Sequence, residues 1–109
     1  MTEKMIVTTT PAVEGKRIVE YKGIVFGEAT FGAGMGTELK GMFAGITGKR
    51  SGSYEKKLHE IRMSAIGQMQ SQAAELGANA VVGVDVDYEF ITSASVLMIS
   101  VTGTAVIIE

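Results

Sequence analysis

The sequence predicts an α+β fold in which an antiparallel sheet packs against one long helix in two layers. Three observations lead to this fold class. β-Branched runs lie at both ends of the chain, one central stretch has apolar residues at three- and four-residue spacing, and glycine- or serine-containing breaks separate these segments. The predicted order is strand, strand, helix, strand, strand. Because no linker or internal repeat divides the chain, we expect a single domain over residues 1–109.

Two strands are predicted before the helix. Residues 3–10 are rich in Thr, Ile and Val, and a longer strand is expected over 17–31, after a turn at 11–15. This strand–turn–strand pattern favours a β-hairpin. The glycine-rich stretch that follows, with a short amphipathic piece over 39–46, predicts a hinge-like connection to the helix.

The helix is predicted over residues 53–76. Ser53 is a suitable N-cap, and Glu55 falls in the first turn, where the positive end of the helix dipole favours an acid. Gly77 is expected to end the helix in a left-handed conformation. The apolar stripe of the helix consists of Leu58, Ile61, Ala65, Met69, Ala73 and Leu76.

The last two strands are predicted over 80–90 and 96–108, and 92–95 forms the loop of a hairpin. One face of the final strand should lie under the helix: Leu97, Ile99, Val101, Ala105 and Ile107.

More apolar surface remains than one helix can cover. The opposite face of the final strand also carries Val96, Met98, Val106 and Ile108. In the second strand, Val19, Tyr21 and Val25 are expected on one face, with Ile24 and Phe26 on the other. The helix has a second stripe formed by His59, Met63, Gly67, Gln70 and Ala74. Burial at ~25 cal/mol per Å² would favour association of copies, so the sequence predicts a homo-oligomer.

Composition excludes several classes of function. The formal charge of −2 gives no general attraction for nucleic acid or for an anionic membrane surface. The chain contains no Cys, which removes disulfides, thiolate metal sites and cysteine nucleophiles. The N-terminal region has neither the apolar core of a signal peptide nor a run long enough to span a bilayer, so we expect a cytoplasmic protein. Without a visible nucleophile–base arrangement, we expect no enzyme and no catalytic residues. His59, the single imidazole, is expected to form a surface pair with Glu55.

Several motifs together resemble those of the YbjQ-like family of uncharacterised proteins, which carries a heavy-metal-binding label. The matching residues are Gly48-Lys49-Arg50-Ser51, Tyr54, Arg62, Ala65, the run Gly77-Ala78-Asn79-Ala80-Val81-Val82-Gly83, Asp87-Tyr88 and Gly103-Thr104-Ala105-Val106. The resemblance covers nearly the whole chain. It implies a dodecin-like β/α subunit assembled as a homopentamer, and it implies little about activity. Lys49 stands where the family has a second glycine.

A row of acids is the first candidate site. Asp85, Asp87 and Glu89 share one face of a predicted strand, at about 7 Å for every two residues. The row is either a solvated surface or, if subunits place it around an axis, an anionic ring that requires cations. Oxygen-only ligands suit Mg²⁺, Ca²⁺ or Mn²⁺, whereas soft metals prefer the thiolates that this chain lacks. We expect no cofactor, unless the acids form such a ring and hold a divalent cation.

The loop before the helix is the second candidate. Lys49, Arg50, Ser51 and Ser53 offer cations, hydroxyls and a positive helix end, which together can bind a small phosphate or carboxylate near a subunit interface. The same residues are also typical of a capped helix with a solvated basic loop. A purely structural assembly without any ligand is the third alternative.

Overall fold

One helix lies on one face of a four-stranded sheet. The protein is seen in a computed structural model, which describes residues 5–31, 52–93 and 96–109. The elements are β1 (Ile6–Val7), β2 (Ile18–Phe31), α1 (Gly52–Glu75), β3 (Ala80–Ile91) and β4 (Val96–Ile108). The predicted two-layer α+β architecture is confirmed. The helix and the three long strands begin and end within one residue of their predicted limits, because their apolar periodicity is local information.

The pairing of the first strand differs from the prediction. The strand order is β1-β3-β4-β2, with β1 parallel to β3 and the other pairs antiparallel. The hairpin predicted between the first two strands is therefore wrong, and the sheet is mixed. β2 pairs with β4 instead, from Ile18↔Ile108 to Phe31↔Leu97. The other edge of β2, which the hairpin would have used, is bonded to Gln68 and Gln72 of α1.

The backbone that follows β1 is bonded to β3 instead. The amide of Gly83 donates to the carbonyl of Thr10 at 2.8 Å, and the amide of Val84 donates to the carbonyl of Thr8 at 3.1 Å. Gly83 has a positive φ of 63°, a conformation that glycine adopts without strain. These bonds lie where the β3–β4 register shifts, between Val82 and Asp85. The N-terminal segment thus stabilises a bulge in β3 rather than a hairpin.

The main core lies between α1 and the sheet. Ala65, Met69 and Ala73 of α1 are fully buried against a cluster that includes Val25 and the predicted inner face of β4. Leu97, Ile99, Val101 and Ala105 are buried, as predicted for that face, whereas Ile107 is only half-buried and lies outside the buried clusters. Leu76 departs from the prediction, since it lies just beyond α1 and is 43% exposed. In the described part of the chain, the one long helix lacks the apolar content needed to cross a membrane.

Part of the sheet face opposite α1 is covered by other residues of the same chain. Ala80, Val82, Val106 and Ile108 form a second buried cluster, against which Val13 and Ile18 pack. The prediction that Val106 and Ile108 remain as surplus surface is wrong, because the segment containing Val13 covers this end of the sheet. Val96 and Met98 are half-buried, and Val19 is 38% exposed.

A β-bulge decides which apolar residues remain exposed. The β2–β4 register shifts between Tyr21 and Gly23. Tyr21 therefore shares the face of Ile24 and Phe26 instead of that of Val25, contrary to the prediction, because one extra residue reverses the alternation. These three side chains, which we call the apolar patch, are 70%, 70% and 51% exposed respectively.

Candidate functional site

The three predicted acids lie together on the sheet face opposite α1. On β4, Thr102 is the partner of Asp85, Ser100 of Asp87, and Met98 of Glu89. All three carboxylates are exposed. Val84, just before Asp85, is buried, and Val86, between Asp85 and Asp87, is half-buried, both on the side of the helix, which explains why the strand alternates Val with acid. The prediction that these three acids share one face of the strand is confirmed.

Asp85 and Asp87 interact directly. The pKa of Asp87 is raised above its ordinary 3.8, first by a side-chain hydrogen bond with Asp85, then by repulsion from that carboxylate, and finally by desolvation. The neighbouring carboxylate thus favours the protonated form of Asp87. A bound cation would offset the same repulsion.

A single chain does not complete a metal site among these residues. Throughout the described ranges, no three His, Cys, Asp or Glu side chains converge closely enough to hold a metal ion. The row is linear, and each step of two residues covers about 7 Å. Ca²⁺ takes six to eight oxygen ligands, so an ion at Asp85 and Asp87 needs further oxygens from water or from another chain.

The neighbours of the acidic row were not predicted from the sequence. Glu28 of β2 pairs with Ser100 of β4, which in turn pairs with Asp87 of β3, so the three residues form one line across the sheet. A shallow cleft of about 340 Å³ lies beside this line, lined by Phe26, Gly27, Glu28, Ser100, Val101 and Thr102. This cleft could have been predicted only from the register between β2 and β4, which no local sequence pattern encodes.

The second predicted site falls mostly outside the described residues. Lys49, Arg50 and Ser51 are not among them. Ser53 lies in the first turn of α1, which begins at Gly52, rather than at the position before the helix. The anion site at these residues stays a prediction. His59 is exposed on α1.

The run Gly77–Gly83, the most specific part of the family resemblance, shapes the backbone. Gly77 has a φ of 84°, and the amides of Gly77 and Ala78 donate to the carbonyls of Ala74 and Ala73, which ends the helix as predicted. Asn79 then binds the end of β4, since its Nδ2 donates to the carbonyl of Ile108 and its Oδ1 accepts from the amide of Ile108. The run therefore connects the helix to the sheet.

Arg62 and Tyr88, which also carry the resemblance, meet on the helix side of the sheet. The Nε of Arg62 donates to the hydroxyl of Tyr88 at 2.8 Å, and its guanidinium lies 5.9 Å from the ring centroid. This contact fixes α1 relative to β3 with a hydrogen bond and a cation–π interaction.

A groove runs between β1 and α1. It has a volume of about 600 Å³ and is lined by Met5, Ile6, Val7, Met63, Ile66 and Gln70. Met63 and Gln70 belong to the predicted second stripe of the helix, and Met63 is 48% exposed. Apolar surface thus remains on the helix side as well as at the apolar patch.

Comparison with known proteins agrees with this fold and with the earlier resemblance. The model of the YbjQ family, described as "Putative heavy-metal-binding", matches residues 5–109. A similar solved structure is that of a protein of unknown function from Pediococcus pentosaceus, which belongs to the DUF74 family. It has a TM-score of 0.66 and 16% sequence identity, over 96% of this chain and 98% of that chain. At this identity the likeness shows the fold alone. Because the family model spans almost the entire sequence, the chain belongs to the YbjQ family.

Proposed function

We propose that this protein is a cytoplasmic homo-oligomer, expected to be a pentamer, that binds a divalent cation at Asp85, Asp87 and Glu89. The observation that carries the proposal is the placement of three exposed carboxylates on one strand face, where Asp85 raises the pKa of Asp87 by a side-chain hydrogen bond and by repulsion. A cation between them lowers that repulsion. The family description names metal binding and no reaction, which supports a binding role at a coarser level.

The chemistry of the ligands selects the metal. The acidic row offers only oxygen donors, and the chain has no Cys. Carboxylate oxygens bind hard ions such as Ca²⁺, Mg²⁺ and Mn²⁺, whereas soft ions favour sulfur ligands. We therefore expect Ca²⁺ or Mn²⁺ to bind in preference to soft heavy metals.

Assembly supplies the ligands that one chain lacks. The apolar patch lies on the same sheet face as the acidic row, with β4 between them. Copies that bury the patch at ~25 cal/mol per Å² would bring acidic rows from neighbouring subunits toward a common axis. Five copies would contribute fifteen carboxylates, since each carries three. Such a ring can surround a cation with oxygens from several chains.

Calorimetric titration tests the cation site. Ca²⁺, Mn²⁺ and Zn²⁺ are titrated into wild type, Asp87→Asn and the control Glu14→Gln, which removes an exposed acid in the turn before β2. We expect wild type and the control to give the same heats for Ca²⁺ or Mn²⁺, and Asp87→Asn to bind at least tenfold more weakly. Identical heats in all three proteins would remove the proposal.

Native mass spectrometry tests the assembly separately. Ile24→Lys places a charge in the apolar patch, where the side chain is 70% exposed in a single chain, so the subunit should still fold. Thr9→Lys adds the same charge at an exposed position before the turn. We expect pentamers for wild type and Thr9→Lys and smaller species for Ile24→Lys. A wild-type monomer at micromolar concentration would contradict the assembly even if a cation binds.

A further inference from the structure

The outer edge of β2 is occupied by side chains of the helix. Among the described residues, β4 is the only strand that pairs with β2, so no strand of that part of the chain lies along the other edge of β2. The amide of Phe26 donates to Oε1 of Gln72 at 3.1 Å, and the amide of Glu28 donates to Oε1 of Gln68 at 3.1 Å. Two carboxamides thus take the positions that carbonyl groups of an adjacent strand would occupy.

The spacing of helix and strand makes both bonds possible at once. Gln68 and Gln72 are four residues apart, about 6 Å along a helix. Phe26 and Glu28 are two residues apart, about 7 Å along a strand, with their amides pointing the same way. Gly27, between them, has no side chain to hold α1 away from the edge. The two spacings are nearly equal, and the close approach of the helix at Gly27 brings each carboxamide to one amide.

An unprotected edge of this length is a hazard. β2 has 14 residues, and its exposed face carries the apolar patch. Long edge strands with exposed apolar side chains are templates for pairing with other chains, and natural proteins block them. The obvious partner is another β2, because every copy presents the same strand edge and the same apolar side chains.

We propose that Gln68 and Gln72 close the edge of β2 against strand pairing with a second copy of this chain. The carboxamides satisfy the amide donors of Phe26 and Glu28 within the subunit, so pairing would first have to break two hydrogen bonds. Association of copies is then directed to the faces of the subunit. Both glutamines are exposed, so their substitution removes the bonds without leaving a cavity in the core.

Amide hydrogen exchange tests the bonds themselves. Gln68→Met and Gln72→Met keep the length and helix propensity of the side chain but remove the strong acceptor. We expect Gln72→Met to speed exchange at Phe26 roughly fivefold and leave Glu28 unchanged, and Gln68→Met to do the reverse. Gln72→Glu and Gln68→Glu keep an acceptor oxygen and should retain protection. Gln70→Met, on a helix face that lines the β1–α1 groove, is the matched control. Equal exchange rates in all variants would overturn the proposal.

Light scattering over a concentration series tests the consequence. We expect the double variant Gln68→Met/Gln72→Met to form species larger than wild type, with the mass rising as concentration rises and with thioflavin T binding. The double Glu variant and Gln70→Met should keep the wild-type mass. If the double Met variant loses protection at both amides and still keeps the wild-type mass, closure of the edge is refuted. If the double variant fails to fold, each single Met variant is compared with wild type in the same way, since each leaves one amide of the β2 edge without its acceptor.

Discussion

Gly27 of β2 lies directly against the backbone carbonyl of Ala65 in α1, so closely that a methyl group at position 27 would overlap the oxygen. This contact sets the distance between the two layers of the fold. It also places Gln68 and Gln72 within hydrogen-bonding distance of the β2 edge. A single glycine therefore controls both the packing of the helix and the protection of an edge strand.

We expect Gly27→Ala to lower the free energy of unfolding by about 3 kcal/mol. The backbone carbonyl of Ala65 in α1 cannot move away from the new methyl group as a flexible side chain could. Gly67→Ala is the matched control, since a methyl group there meets nothing within 4 Å. It should raise stability by about 0.5–1 kcal/mol, as alanine is the better helix former. Urea unfolding at equal protein concentration measures both. Equal effects of the two substitutions would show that the helix does not rest on Gly27.

Gly103→Ala should be destabilising by about 1–3 kcal/mol. A Cβ at this position would lie 2.6 Å from Cγ1 of Val81 and 3.2 Å from Cγ2 of Val84. Val81→Ala removes the closer methyl group, so Gly103→Ala should cost less in that background than in wild type. A double-mutant cycle by urea denaturation measures this coupling, for which we expect at least 0.5 kcal/mol. Simple additivity would contradict the proposed close packing.

Asn79→Ala should cost about 1–3 kcal/mol, because it leaves the partly buried amide and carbonyl of Ile108 without the side-chain partner that binds both. Arg17→Ala, at the same end of the sheet, is the comparison. Its ion pair with Glu109 spans 3.4 Å, but the two side chains are 77% and 66% exposed. An exposed pair contributes about 0–1 kcal/mol, so this change should be the smaller one in thermal unfolding. The reverse order would disprove the structural role of Asn79.

Asp87→Asn should raise the melting temperature at pH 7 and leave it unchanged in acid. Asp85 raises the pKa of Asp87 above 3.8, so the folded protein holds this proton more tightly than the unfolded chain. Stability from this group is fully present below pH 3.8 and is lost as pH rises through the raised pKa. Removing either charge relieves the repulsion, so Asp85→Asn should act similarly. Calorimetric melting between pH 3 and pH 7 distinguishes this pH-dependent rise in melting temperature from a rise that is the same at every pH.

The local elements of the fold were predictable because their signals lie within a few neighbouring residues. The helix limits follow from apolar spacing and from Gly77, whose positive φ ends α1. The strands at 80–91 and 96–108 follow from alternation, which also placed Asp85, Asp87 and Glu89 on the face away from the helix. The resemblance to the YbjQ family was confirmed by a match over residues 5–109.

Relationships between distant segments were not predictable in the same way. β1 pairs in parallel with β3, which lies beyond the helix in sequence, and the exposure of Tyr21 depends on a bulge that no alternation rule reveals. Val106 and Ile108 are buried because the segment around Val13 returns over that end of the sheet. Each outcome depends on pairing or packing between segments that are far apart in sequence.

The sequence by itself determined the fold class, the limits of the long elements and the face that carries the acids, since periodicity fixes each side chain relative to its own strand or helix. Only the tertiary structure determined which residues lie next to those acids on the sheet. It aligned Glu28, Ser100 and Asp87 across three strands and brought Gln68 and Gln72 to the edge of β2. The physical reason is that strand register and helix position are set by packing between segments, which one segment alone does not contain.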